Sequence, residues 1–172
     1  MRKETAHFTS FLTKTLSPHH TAAYVCTKLA GAGFSKLDER QTWHLNAGTK
    51  YFVQRGCTVT AFIIPRQGFK KAHILASHLD TPALKLRPNP LFFKEEQAFF
   101  RTEIYGGPHL YSLANRKLQL AGAVWHSESA EFETPQLVHG DNQHFFIPTC
   151  PIHLDKTTNT QPQPIEKHNG LA

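Results

Sequence analysis

The hydrophobic period of this chain changes from that of a helix to that of a strand, which restricts it to folds that lay helices on a sheet. Phe8, Phe11, Leu12 and Leu16 follow the i, i+3, i+4, i+8 spacing of one apolar helical face, and Ser17-Pro18 stops it. A second helix is predicted from about Thr21, as N-cap, with Ala22, Val25, Cys26 and Leu29 on one side; Gly31 or Gly33 ends it. From Tyr51 the period is two. Tyr51 to Gln54 and Cys57 to Ile64 flank Arg55-Gly56, a two-residue hairpin loop, and Pro65 closes the second strand. Ala72-His-Ile-Leu-Ala-Ser77 has the form of a strand buried on both faces. Leu84 to Arg87, Phe99 to Tyr105 and Leu118 to Trp125 read as further strands, with turns at Asn89-Pro90 and Gly106-Gly107-Pro108. The pattern is α/β passing into a β-rich segment.

Bulk properties narrow the class. A chain of 172 residues fits one ordinary domain, or a domain and part of another. Folded as one unit, it is expected to bury about 70% of its unfolded surface. The 40% apolar and 19% charged fractions are those of a globular protein. No apolar run approaches the roughly 20 residues that span a bilayer, and Ser, Thr and His interrupt the stretch after Arg2-Lys3, so no secretory signal is read. Cys26, Cys57 and Cys150 are too few and wrongly spaced for a disulfide framework or a cysteine zinc ribbon, and reduced thiols suit the cytoplasm. Residues 1–94 hold 14 Lys or Arg against 4 Asp or Glu; residues 95–172 hold 5 against 9. A basic half followed by an acidic half suggests two structural units. The basic residues are scattered, without an arginine-rich arm, an RNP-like motif or a basic helix. A solvated basic face accounts for them better than nucleic-acid binding.

Chemistry concentrates at Ser77-His-Leu-Asp-Thr-Pro82, directly after the predicted buried strand. Open α/β sheets place ligands at the carboxyl ends of their strands. In extended backbone His78 and Asp80 point the same way. A carboxylate beside a histidine can hold one ring nitrogen and leave the other for a metal. The same residues also suit a plain turn stabilised by Asp80. The remaining histidines of the 12, His19-His20, His139 and His144 among them, form no His-Glu-x-x-His or i, i+4 pair and read as surface or capping residues. Neither Ser17 nor Ser77 sits in a Gly-x-Ser-x-Gly elbow.

Eight segments, taken in order, resemble the aspartyl aminopeptidase family of zinc metallopeptidases from about Phe8 to about His168. They are Leu16-Ser-Pro18, Ala32-Gly-Phe34, Gly48-Thr-Lys-Tyr-Phe52, Ala76-Ser-His-Leu-Asp-Thr-Pro82, Leu86-Arg-Pro-Asn-Pro90, Glu103-Ile-Tyr-Gly-Gly107, Leu118-Gln-Leu-Ala-Gly122 and Ile147-Pro-Thr-Cys-Pro-Ile-His-Leu154. The resemblance implies the start of an α/β/α sandwich with a two-zinc site, interrupted by a β-rich dimerisation domain. Residues 1–90 would be the first part of the catalytic domain and residues 91–172 the start of the dimerisation segment. His78 matches the family's first zinc ligand and Asp80 the acid that orients it. His153 matches a histidine that reaches the active site of the partner subunit. The implied activity is hydrolysis of N-terminal residues, preferably acidic ones, from peptides.

Family members are well over twice this length, and their other metal ligands and glutamate base lie beyond the insert. The resemblance therefore implies an N-terminal portion that needs a complementary C-terminal polypeptide, within a homo-oligomer. One histidine does not hold zinc tightly by itself. The alternative is a catalytically inactive remnant or oligomerisation module of the same fold, a reading that Asn115 and Lys117 favour because the family places aromatic and acidic residues there.

Overall fold

The computed structural model describes residues 2–126, 135–149, 153–154 and 156. Two helices, α1 (Lys3–Lys14) and α2 (Pro18–Gly31), precede the strands β1 (Ser35–Lys36), β2 (Lys50–Arg55) and β3 (Thr58–Ile63). Then come β4 (Ala83–Lys94), β5 (Gln97–Tyr105), a 3-10 turn at Leu110–Leu113, β6 (Ala121–Val124) and β7 (Gln136–His139). The contacts divide the chain into two units. One holds the residues up to Asp80 together with Ala121–His139; the other holds Thr81–Leu120 and the residues from Gly140 onward. The division expected at 90/91 falls inside β4. No helix among the described residues is long and apolar enough to cross a membrane.

In the first unit, α2 starts earlier than the expected Thr21. Ser17 is the N-cap, in extended backbone, and its Oγ accepts from the His20 backbone N–H. Pro18 follows at the first helical position, where its fixed φ suits the helix and its missing N–H costs nothing. Thr21 is instead buried in the first turn, its Oγ1 donating to the Ser17 carbonyl at 3.0 Å. At the other end Gly33, with φ of 82°, makes the left-handed turn. Phe34 N–H donates to the Leu29 carbonyl and Gly33 N–H to the Ala30 carbonyl, the Schellman pair of bonds.

The sheet is mixed: β1 runs parallel to β2, and β2 antiparallel to β3. Arg55 pairs with Thr58, so the tight loop is Gly56-Cys57, one residue beyond the expected Arg55-Gly56. Gly56 has φ of 55°, at the first loop position that hairpins reserve for glycine. Helix α2 packs on β2, β3 and β6, and β6 pairs antiparallel with β7. Phe11 of α1 meets Tyr24 of α2 edge to face, with ring centroids 5.5 Å apart. Helices on a mixed sheet make the α/β arrangement that the change of period predicts. Buried apolar residues are few among those described: Ala22 (0% exposed), Tyr51 (5%) and Phe52 (3%).

The predicted buried strand over Ala72–Ser77 is not found. These residues carry no regular secondary structure and are all exposed, Ile74 at 86% and Leu75 at 101%. A strand needs neighbours for its backbone groups, and no described residue supplies one here.

The second unit is built on the long hairpin β4–β5, joined by Glu95-Glu96 with φ of 48° and 65°. Asn89-Pro90, expected as a turn between strands, lies within β4. The ladder passes from the pair Leu86–Thr102 to Leu91–Phe100, so Arg87 to Pro90 bulge opposite Arg101. Pro88 and Pro90 cannot donate to a ladder, and Asn89 takes φ of 52°, which explains why the irregularity sits there. Phe92 stacks on Phe99 at 5.4 Å, and Phe100 meets Phe145 edge to face at 5.2 Å. The strand expected over Leu118 to Trp125 is shorter: Leu118 forms only an isolated bridge to Phe145, and regular pairing begins at Ala121.

Candidate metal centre

The backbone that leads to His78 is an exposed arm from Phe69 to Ser77, and the His78 side chain is itself 79% exposed. Within the arm's last turn a local contact fixes the imidazole. His78 Nδ1 lies 2.7 Å from the Asp80 backbone carbonyl and 3.4 Å from its carboxylate Oδ1. A carbonyl oxygen only accepts, so Nδ1 carries the hydrogen and donates it. In the neutral ring Nε2 then presents its lone pair, and it makes no hydrogen bond among the described residues. This is the tautomer a metal ligand needs, with its orienting partner on the opposite nitrogen.

The donor set is incomplete. No group of three or more His, Cys, Asp or Glu able to hold a metal occurs among the described residues. Zinc sites take three or four protein ligands. One exposed imidazole with one neighbouring acid therefore does not fit a zinc ion by itself.

His153 lies in an exposed turn of the second unit, next to Leu154, which is also exposed. Pro151 and Ile152, which carry its motif, fall outside the described residues, as does Cys150. Asn115, singled out in sequence for its departure from the family, has a local structural role. Its backbone N–H donates to the Ile147 carbonyl, its Nδ2 donates to Thr149 Oγ1 at 2.6 Å, and its Oδ1 accepts from the Thr149 backbone N–H at 3.2 Å.

One cluster is not legible in the sequence. His20, expected as a surface or capping residue, places its ring nitrogen Nδ1 2.8 Å from Ser17 Oγ, while Nε2 is buried without a partner among the described residues. The ring meets His139 edge to face at 5.7 Å, as His19 meets Trp125 at 5.3 Å. Burial, and to a lesser degree the neighbouring His139 and His19, hold His20 below the usual histidine range. The only sequence signal is Ser17-Pro18-His19-His20, which becomes informative once Ser17 is placed as the cap. Cys26 and Cys57 are free thiols, both pushed up by burial, and Cys26 donates to Gln54 Oε1 at 3.3 Å.

Comparison with known proteins relates the chain to a family. A family model described as aminopeptidase I zinc metalloprotease (M18) matches residues 11–171. A probable M18 family aminopeptidase 2 of Clostridium acetobutylicum is 32% identical over 158 residues, which is 87% of this chain and 36% of that protein. The chain thus spans a little over a third of the length of such curated relatives. The cryo-EM structure of the Ape4 and Nbr1 complex contains a chain that superimposes with a TM-score of 0.80 at 26% identity, over 96% of this chain and 32% of that one. An M18 aminopeptidase from Thermotoga maritima shares the fold with a TM-score of 0.77 at 23% identity, over 99% of this chain and 38% of its own.

Proposed function

The chain belongs to the M18 family of aminopeptidase I zinc metalloproteases, and from that premise we propose that it contributes one metal-ligating segment to a metalloaminopeptidase completed by further polypeptide. The observation that carries this reading is His78, held through Nδ1 by Asp80 with Nε2 left exposed, inside the matched residues 11–171. Zinc in such a site polarises a carbonyl and makes water a stronger acid. The part this chain plays is to present one lone pair and fix its direction. Asp80 keeps the proton on Nδ1. His153 reaches the active site of a partner subunit within a homo-oligomer and donates a hydrogen bond to the substrate carbonyl there. The substrates are peptides with an acidic N-terminal residue. Residues 1–90 serve the catalytic domain and residues 91–172 open the dimerisation domain. The free thiols of Cys26 and Cys57 suit a cytoplasmic setting.

A second reading, an inactive remnant or oligomerisation module, draws on the incomplete donor set and the structural use of Asn115. Elemental analysis separates the two. The purified, dialysed chain is expected to hold close to no zinc. Co-expressed with the part of the Clostridium acetobutylicum relative that it does not match, it is expected to retain zinc and to release an N-terminal glutamate or aspartate from a peptide. His78→Ala should abolish both. No zinc in the co-expressed pair would favour the remnant; zinc and activity unchanged by His78→Ala would remove His78 from the site.

A further inference from the structure

We propose that the contact between His20 and His139 is a pH-sensitive latch: neutral rings hold the β6–β7 pair on the first turn of α2, and protonation releases it. Two aromatic contacts join these elements. The His20 ring meets His139, the last residue of β7, with ring centroids 5.7 Å apart, and His19 meets Trp125, just beyond β6, at 5.3 Å. The position gives release a consequence. The chain re-enters the first unit at Ala121 and leaves it at His139, and these two residues pair in the ladder. Directly beyond them the Gly140 N–H donates to the Leu120 carbonyl at 2.9 Å. Whatever holds His139 on α2 therefore holds two of the three points at which the chain passes between its units.

The surroundings of His20 make the contact sensitive to charge. Ser17 Oγ lies 2.8 Å from Nδ1, while Nε2 is buried and finds no acceptor among the described residues. A protonated ring carries an N–H on both nitrogens, so one buried donor stays unpaired. The titratable groups that act on His20 are both imidazoles, His19 on its own helix and His139 on β7. Neither carries a negative charge, and two imidazoliums at this distance repel. The other elements packed on α2 add no acid at this end. Its first turn has no acidic residue, and β3 and β6 carry no charged residue. Helix α1 meets α2 through Phe11 and Tyr24, and β2 meets it through Gln54 and Cys26, a turn or more beyond His20. His126, next to Trp125, lies 2.9 Å from Gln136 Oε1 across the β6–β7 pair. Burial holds His20 below the usual histidine range, whereas a released ring titrates at about 6.5. Below that pH the released state binds more protons, so acid favours it.

Hydrogen exchange of the full chain, corrected for the intrinsic pH dependence of amide exchange, tests the latch. The ladder amides of β6 and β7 should exchange at least ~3-fold faster at pH 5.5 than at pH 7.5, one proton being able to supply at most about tenfold per pH unit. Low urea should leave their rates at pH 5.5 unchanged, because release exposes little surface. The amides of β2, protected until the unit unfolds, should speed up in the same urea. His20→Gln should cut the pH effect to less than ~2-fold by removing the ring that titrates. His139→Glu should abolish or reverse it, since a carboxylate beside the ring favours the charged form. A contact that served packing alone would weaken equally at both pH values in that variant. A smaller acceleration in the unsubstituted chain, one that follows urea as β2 does, or one that survives either substitution would overturn the latch. The unsubstituted chain by itself separates release from unfolding, so the outcome is decided even where a variant does not fold.

Discussion

His78 owes its tautomer to a backbone atom. The Asp80 carbonyl is its nearest acceptor, at 2.7 Å, with the carboxylate further away at 3.4 Å. Asp80→Asn removes the charge and keeps the carbonyl, so the hydrogen on Nδ1 should stay in place. Nitrogen chemical shifts of the His78 ring above pH 8 check this: Nδ1 should remain the protonated nitrogen in the variant. A shift of the proton to Nε2 would show that the carboxylate holds the ring. Sequence makes the pairing of these two side chains legible, because period two puts residues 78 and 80 on the same side of extended backbone. It does not show which atom of Asp80 lies closer, since the turn that brings the carbonyl round depends on dihedral angles that a His-x-Asp pattern leaves open.

Both ends of helix α2 are legible in the sequence, although its cap lies four residues before the expected Thr21. Pro18, expected to stop the first helix, lies beyond that helix's C-cap at Thr15 and instead opens the second, with Ser17 capping it. That cap ties the helix to a partly buried titratable ring. Ser17 Oγ contacts His20 Nδ1, and His139 of β7 faces the ring from the neighbouring hairpin, with His19 beside it on the helix. Protonating His20 would put an N–H on both ring nitrogens, although Nε2 finds no acceptor among the described residues, near two other imidazoles and at the positive end of the helix. Its folded pKa is lowered from 6.5, so between that lowered value and 6.5 the unfolded chain binds more protons than the folded one. Stability contributed by neutral His20 is complete above pH 6.5 and is lost as the pH falls through that window. Urea unfolding should accordingly give a lower stability at pH 5.5 than at pH 7.5, and His20→Gln should flatten the difference. An equal slope in the variant would assign the pH dependence to other histidines. The opposite case is Ala72–Ser77, where composition names a buried strand and the chain leaves it exposed. Composition reports what a segment is suited to join; whether the neighbours are present is a property of other residues.

The same gap between suitability and burial governs the whole molecule. A single compact fold of 19.4 kDa exposes about 8,500 Å² and its unfolded chain about 28,000 Å², hence the expected burial of about 70%. The described residues fall well short of such burial. The apolar residues agree. Three are buried among those described, while Phe69, Ile74, Leu75, Phe93 and Phe146 are each more than two-thirds exposed. Denaturant sensitivity scales with the surface released on unfolding. The urea m-value of the isolated chain should therefore be lower than that of a compact domain of equal length, and the exposed apolar groups should bind a hydrophobic dye such as ANS. Co-expression with the complementary polypeptide should remove dye binding, since the same groups would then be covered. An m-value at the compact-domain level without dye binding would mean that the chain closes its own core in solution. The exposed arm before His78 would then be folded back onto this chain, and the ligand would be positioned from within.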